Sequence, residues 1–285
     1  MISQEALAND RRSSVADEPV PERPTGLAAI MRDGWIITAR NLVVLPRTPA
    51  LVVFILVQPV MFVVLFNYVF GGAIGGSLPD GLSYAQYLIP GVMLMAIVFA
   101  ASSTAVGLAE DLQKGIVDRF RSLPISRSAV LLGRIVADTA RLAVVGIVLL
   151  AVGLLIGFRF EGGLALGVLM LLVAVAFGFA ISWVEANIGM AVPDAETAQT
   201  AGFLWLFPLV FVSSTFTPVD TMPGWMQAIA RNNPITHVVN LLRALARGEV
   251  PADDTWAGLT VPVVLWVIGI TVVAAPLAVT RYRRV

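Results

Sequence analysis

The sequence predicts an all-α integral membrane protein with six transmembrane helices. Three observations carry that expectation. Of its 285 residues, 58% are hydrophobic and only 13% are charged, with a mean hydropathy of +0.85. That is about half the charge a water-facing domain carries. Six stretches are apolar over roughly the 20 residues a helix needs to cross the hydrocarbon core. Basic residues gather in alternate connections between those stretches, which is the bias that sets orientation in a membrane.

The elements follow in order. Residues 1–26 are polar and proline-bearing, without the apolar core of a signal peptide, and predict a cytoplasmic tail without fixed structure. Residues 27–45 place Leu27, Ile30, Met31, Trp35 and Ile37 among Arg32, Asp33 and Arg40, the pattern of a helix lying on the inner membrane face. The spans are expected at 50–70, 88–109, 129–158, 163–191, 200–216 and 258–280. The first is interrupted by Gln58, Pro59 and Asn67, and the fifth carries Pro208; proline is tolerated where neighbours satisfy the freed carbonyl. Basic groups precede the first span (Arg11 to Arg47), link the second to the third (Lys114, Arg119, Arg121, Arg127, Arg134, Arg141) and follow the sixth (Arg281, Arg283, Arg284). They put both termini on the cytoplasmic side. The 193–199 connection, with Asp194 and Glu196 but no basic residue, points weakly the other way, and acidic residues count little in this rule.

Two connections have content. In the cytoplasmic segment 110–124, Leu112, Ile116, Phe120 and Leu123 recur every three or four residues, with Lys114, Asp118 and Arg121 opposite them. This predicts an amphipathic helix stopped by Pro124. Such a helix can lie on lipid or fill a partner's groove, and its mixed charge suits the groove better. In the external segment 221–248, Met222, Trp225, Met226 and Ile229 form one apolar stripe, and Ile235, Val238, Val239, Leu242 and Leu245 form another. Thr221 is expected to cap the first short helix, Asn233 the second, and Gly248 to end it. This hairpin is either a structural lid or a gate.

Much chemistry is excluded. Nineteen basic and nineteen acidic residues cancel, so no bulk field attracts a nucleic acid. The absence of cysteine rules out disulfides and thiolate metal sites, and the single His237 rules out a multi-histidine centre. Lys114 is the only lysine and no Ser or Thr follows it, so the phosphate-binding loop is missing. No nucleophile–base or paired-carboxylate cluster supports an enzyme. The candidate intramembrane acids are Asp138 and Glu185. Arg134 and Arg141, one helical turn to either side, account for Asp138 as a structural ion pair. Glu185 falls at the cytoplasmic end of the fourth span, near water, and is the possible functional acid.

Several strings carry a family resemblance. They include Tyr87-Leu88-Ile89-Pro90-Gly91, the run from Lys114 to Ile125, Gly157-Phe158-Arg159, Ser182-Trp183-Val184 with Gly189-Met190, and Thr221-Met222-Pro223-Gly224-Trp225. Asn233-Pro234 and Arg243 fit as well. Over about residues 32–284 the chain resembles the membrane subunit of an ABC-2 type exporter, and more narrowly the daunorubicin/doxorubicin-resistance permeases of actinobacteria.

The resemblance implies the ABC-2, type V exporter-like permease fold in a bacterial plasma membrane, paired with a second copy or a related permease. It also implies two separate ATP-binding subunits, which bind ATP and Mg; no cofactor is expected in this chain. The segment 110–124 would be the coupling helix, with Asp111, Lys114, Gly115, Ile116, Asp118, Arg119, Phe120, Arg121 and Leu123 facing the ATPase. The path would run between protomers along the first, second and fifth spans, lined or gated by Gln58, Asn67, Phe203, Phe207 and Phe211, with Met222, Trp225 and Arg243 at an external gate. Leu204, Leu209 and Val210 are further candidates on the fifth span. The implied cargo is a hydrophobic antibiotic, with export of a lipid or polyketide lipid as the alternative. An ion-coupled transporter built on Glu185 is the more distant one.

Overall fold

The computed structural model describes residues 49–70, 83–115 and 127–284. Helix α1 (Pro49–Leu65) continues into a single π-helical turn (Phe66–Phe70). Helices α2 (Tyr84–Ala101) and α3 (Ser103–Gln113) form one bent rod. Helices α4 (Arg127–Ile156), α5 (Gly163–Gly189) and α6 (Ala195–Phe211) follow. A 3-10 turn (Val219–Thr221) precedes α7 (Gly224–Asn232), α8 (Pro234–Arg247) and α9 (Trp256–Arg284). No strand occurs among the described residues. The tail expected over 1–26 and the interfacial helix over 27–45 lie outside them.

Four helices are long and apolar enough to cross a membrane: the α2–α3 rod, α4, α5 and α9. They cover the second, third, fourth and sixth expected spans. Helices α1 and α6 have 17 residues each. At 1.5 Å per residue each reaches about 26 Å, short of the roughly 30 Å hydrocarbon core.

The α2 sequence is apolar all round, so it is buried all round. Leu88, Val92, Met93, Leu94 and Ile97 have no more than trace exposure, and α1, α4, α5 and α8 pack about it. The rod bends at Ser102. There the Ser102 and Ser103 hydroxyls donate to the Phe99 and Ala100 carbonyls at 2.7 and 2.5 Å, back-bonds of the kind that bend helices. Below the bend, α3 meets α5 backbone to backbone. A methyl on Gly189 would stand 2.3 Å from the Ala105 carbonyl oxygen, so only a small residue allows this approach. Helix α9, by contrast, buries only Leu259, Val263, Ala274, Ala278 and Tyr282 and leaves most of its apolar surface outward.

Three expectations need correction. The coupling helix does not start at Glu110, because residues 110–113 are the last turn of α3. The chain turns at Lys114–Gly115, with Gly115 at φ +63°, the left-handed setting that favours glycine after a helix. Leu112 therefore lies on α3 and packs with the core around Leu108 and Trp183, while Ile116, Phe120 and Leu123 lie outside the described residues.

The fifth span ends at Phe211 rather than at residue 216. Hydroxyl groups at 213–215 offer alternative partners, as Ser213 does by donating to the Val210 carbonyl at 2.5 Å. Asn233 Nδ2 donates to the Leu209 and Val212 carbonyls at 2.7 and 2.6 Å.

Finally, Thr221 caps nothing. Its hydroxyl donates to the Pro218 carbonyl at 2.7 Å, inside the 3-10 turn, and α7 starts at Gly224. Helix α8 is capped as its sequence suggests. Asn233 Oδ1 accepts from the Ile235 amide at 2.8 Å, Pro234 takes the first helical position, and Gly248 closes the helix at φ +78°.

Candidate functional site

A cleft of about 260 Å³ opens where α1, the α2–α3 bend and α6 meet. Gln58 and Pro59 come from α1, Phe99, Ser102 and Ser103 from the bend, and Gln199 and Phe203 from α6. The polar groups on this wall are amides and hydroxyls, and both serine protons are already committed to Phe99 and Ala100. An apolar pocket with a few uncharged polar groups suits a neutral or weakly polar ring system.

A ladder of phenylalanines leaves this cleft. Phe99 stacks on Phe203 with ring centroids 5.2 Å apart and meets Phe207 at 5.7 Å; Phe207 stacks on Phe211 at 4.6 Å. Phe211 reaches Phe216 at 5.2 Å, Phe216 stacks on Phe66 at 4.7 Å, and Phe66 on Phe62 at 5.7 Å. The spacing 203, 207, 211 puts one ring per turn along α6, rising about 6 Å each time. Phe207 and Phe211 keep 47% and 37% of their surface exposed, so the ladder has an open side. Of the other fifth-span candidates, Val210 is buried in the core and Leu204 is 74% exposed. Asn67 sits in the π-helical turn, outside the cleft.

Below the bend, charges tie α3 to α4. Arg134 pairs with Asp111. Asp138 accepts from Thr104 Oγ1 at 2.8 Å and from Arg141 Nη2 at 3.0 Å, and Arg141 also donates to the Ser103 hydroxyl. Arg134 has room because residue 107 is glycine: a methyl there would meet its guanidinium at 1.9 Å. Thus Asp111 faces inward, and Lys114 is paired with Glu110 at 2.7 Å. Ile116, Asp118, Arg119, Phe120, Arg121 and Leu123 lie outside the described residues.

Glu185 is not near water. It is fully buried, and its Oε1 accepts from Trp205 Nε1 at 3.1 Å. Arg243 is held in place by the fold around it. Its guanidinium lies 3.4 Å over the Tyr87 ring. It donates to the Tyr87, Ser214 and Thr215 carbonyls at 2.9, 2.6 and 3.2 Å. It forms the wall of a second cavity of about 420 Å³, together with Asp220, Arg247, Glu249 and Asp254. Met222 is half-buried and Trp225 is 67% exposed on the hairpin. Burial holds the His237 imidazole below its usual pKa range.

Residues 32–246 match the model of the ABC-2 type transporter. The chain belongs to the ABC-2 type transporter family. It is 35% identical over 263 residues to the daunorubicin resistance ABC transporter permease protein DrrB1 of Streptomyces coeruleorubidus, covering 92% of this chain and 89% of that protein. It is 30% identical to the probable doxorubicin resistance ABC transporter permease protein DrrC of Mycobacterium tuberculosis, over 80% of each. It is 25% identical to the inner membrane transport permease YadH of Escherichia coli, over 73% of this chain and 82% of that protein.

Within this ABC-2 transporter, an integral membrane protein, the structure brings Gln58, Phe203, Phe207 and Phe211 to one continuous surface. It separates them from Asn67, Glu185 and the Met222–Trp225–Arg243 set. Sequence reasoning missed Phe62, Phe66, Phe99 and Phe216. The four-residue spacing of Phe62 and Phe66 was a readable signal; Phe99 and Phe216 join only through tertiary packing.

Proposed function

We propose that this chain is the membrane permease of an ATP-driven exporter that moves hydrophobic, ring-bearing compounds out across the bacterial plasma membrane. The observation that carries the reading is the phenylalanine ladder leaving an uncharged cleft, on a chain whose relatives are named as daunorubicin and doxorubicin resistance permeases. Aromatic pairs contribute about 0.5–1.5 kcal/mol beyond simple burial. A row of them can pass a flat molecule along without one deep binding site.

The chain works with a second copy or a related permease, and the exposed sides of Phe207 and Phe211 face the path between the two. Helices α1 and α6 complete a six-span topology with both termini cytoplasmic. Two ATP-binding subunits bind ATP and Mg and dock on the coupling segment, where Ile116, Phe120 and Leu123 fill a groove and Asp118, Arg119 and Arg121 set register through charge-assisted bonds. This permease hydrolyses nothing itself.

The test is co-purification of the tagged chain with its candidate ATP-binding subunit from mild detergent. A stoichiometric complex that is lost in Phe120→Glu is expected. A chain that purifies alone from cells containing that subunit overturns the reading.

A further inference from the structure

Helix α6 carries three rungs of the ladder, so its rotation about its own axis decides what a cargo meets. Gly202 and Trp205, one turn apart, lie roughly opposite Phe203, Phe207 and Phe211 at 100° per residue. That opposite face is where Glu185 of α5 sits. Its carboxylate is fully buried, and its only polar partner among the described residues is Trp205 Nε1, at 3.1 Å from Oε1. Its Oε2 has no hydrogen-bond partner and points at Gly202. A methyl on Gly202 would stand 2.6 Å from that oxygen and 3.3 Å from Cβ of Ser102 at the α2–α3 bend.

The geometry assigns to Glu185 the role of positioning residue for the aromatic face of α6, an inference that rests on the exporter reading above. One oxygen holds the indole by a directional bond, and the other fills the notch that glycine leaves. Turning α6 by one residue would bring Ala201 or Phe203 against Glu185 Oε2 and Ser102 Cβ, so the Glu185 side chain would have to leave its place beside Gly202 and Trp205. The indole bond and the fit at Gly202 together favour one rotational setting, the one in which Phe203 stacks on Phe99. Glu185 acts through Trp205 and Gly202 and does not line the cleft. A buried polar group tolerated without full pairing is costly, and its use here is to fix specificity rather than to add stability.

The chain contains no cysteine, so helix rotation can be read without transport. Phe99→Cys with Phe203→Cys, in the full chain in native membranes, is expected to cross-link under mild oxidation. Adding Trp205→Phe, which removes the N–H and keeps a ring, or Gly202→Ala should cut the cross-linking rate at least about fivefold, equivalent to roughly 1 kcal/mol. Adding Glu185→Gln, which keeps an oxygen acceptor, should leave it within about twofold. Glu185→Leu, which keeps none, should cut it as Trp205→Phe does, and an unchanged rate in Glu185→Leu overturns the assignment.

In inside-out vesicles with the ATP-binding subunit, Trp205→Phe, Gly202→Ala and Glu185→Gln, each alone, are then compared for uptake of doxorubicin and ethidium. Trp205→Phe and Gly202→Ala should shift the ratio of the two KM values at least about fivefold with the ATP-binding subunit still bound, and Glu185→Gln should not. Cross-linking unchanged by Trp205→Phe and Gly202→Ala overturns the assignment. So does loss of transport in Glu185→Gln alone, which would make the carboxylate itself the working group. A parental chain that cross-links as expected but carries neither probe overturns the exporter reading and leaves the positioning role standing.

Discussion

Arg134 of α4 crosses Gly107 of α3 to pair with Asp111, and so binds together the two helices that flank residues 116–126. Asp138 continues the tie upward through Thr104 and Arg141 to Ser103, at the bend beside the cleft. Helices α3 and α4 are thus tied together at several successive levels by charge and hydroxyl contacts.

Reversing one member of that tie, Asp111→Arg, leaves two like charges facing each other in a partly buried site. It should lower stability by about 2 kcal/mol, less than a fully buried broken pair costs. The double exchange Asp111→Arg with Arg134→Asp should restore more than half. Thermal unfolding of the detergent-solubilised complex checks this, together with ATP consumed per cargo moved. A double variant no better than the single one would show that the pair does not act as a unit.

Phe207 stands at the middle of the ladder with half its ring open. Phe207→Ala should change the order of preference among ring-bearing cargoes by about tenfold in kcat/KM while leaving ATPase assembly intact. Removing a stacked ring that cargo also uses costs about 1.4 kcal/mol at that ratio. Equal losses for flat and non-aromatic cargoes alike would make Phe207 a packing residue.

Arg243→Lys tests the outer clamp. The guanidinium reaches three carbonyls and a ring at once. A lysine ammonium lacks the planar fork and the five donors, so at least one buried carbonyl loses its partner. A destabilisation of about 2 kcal/mol is expected, read as a lower midpoint of thermal unfolding. A midpoint unchanged within error would mean that water replaces the clamp.

His237 gives the pH dependence its sign. Burial lowers its pKa in the fold, so the unfolded chain binds the proton more readily. Its contribution to stability is therefore fully present above the ordinary histidine value of about 6.5 and is lost as pH falls below it. The drop in unfolding midpoint between pH 7.5 and pH 5.5 should be smaller in His237→Gln than in the parent. An identical drop would place the effect elsewhere.

Much of the architecture was readable because a membrane imposes simple rules. Long apolar runs became the α2–α3 rod, α4, α5 and α9 within a few residues of their expected ends. The Asn233-Pro234 start and Gly248 stop of α8 follow from local chemistry alone. What sequence could not supply was tertiary. Nothing near Phe99 says that it will stack on a ring some hundred residues later, or that Phe216 will bridge α6 to the turn after α1. Arg243 was placed by family pattern at a gate. Only the fold reveals that its donors are consumed by carbonyls from two segments, Tyr87 of α2 and the Ser214–Thr215 loop. Glu185 was assigned to the water's edge by its position along a span, because its enclosure depends on Gly202 arriving from another helix.

Asn233 has a consequence for how the protein is made. The carbonyls of Leu209 and Val212 at the end of α6 are met by its side chain, which leaves the ribosome 24 and 21 residues later. Unpartnered carbonyls are not tolerated in hydrocarbon. The end of α6 is therefore complete only once the head of α8 is in place, so the two helices mature together rather than one after the other.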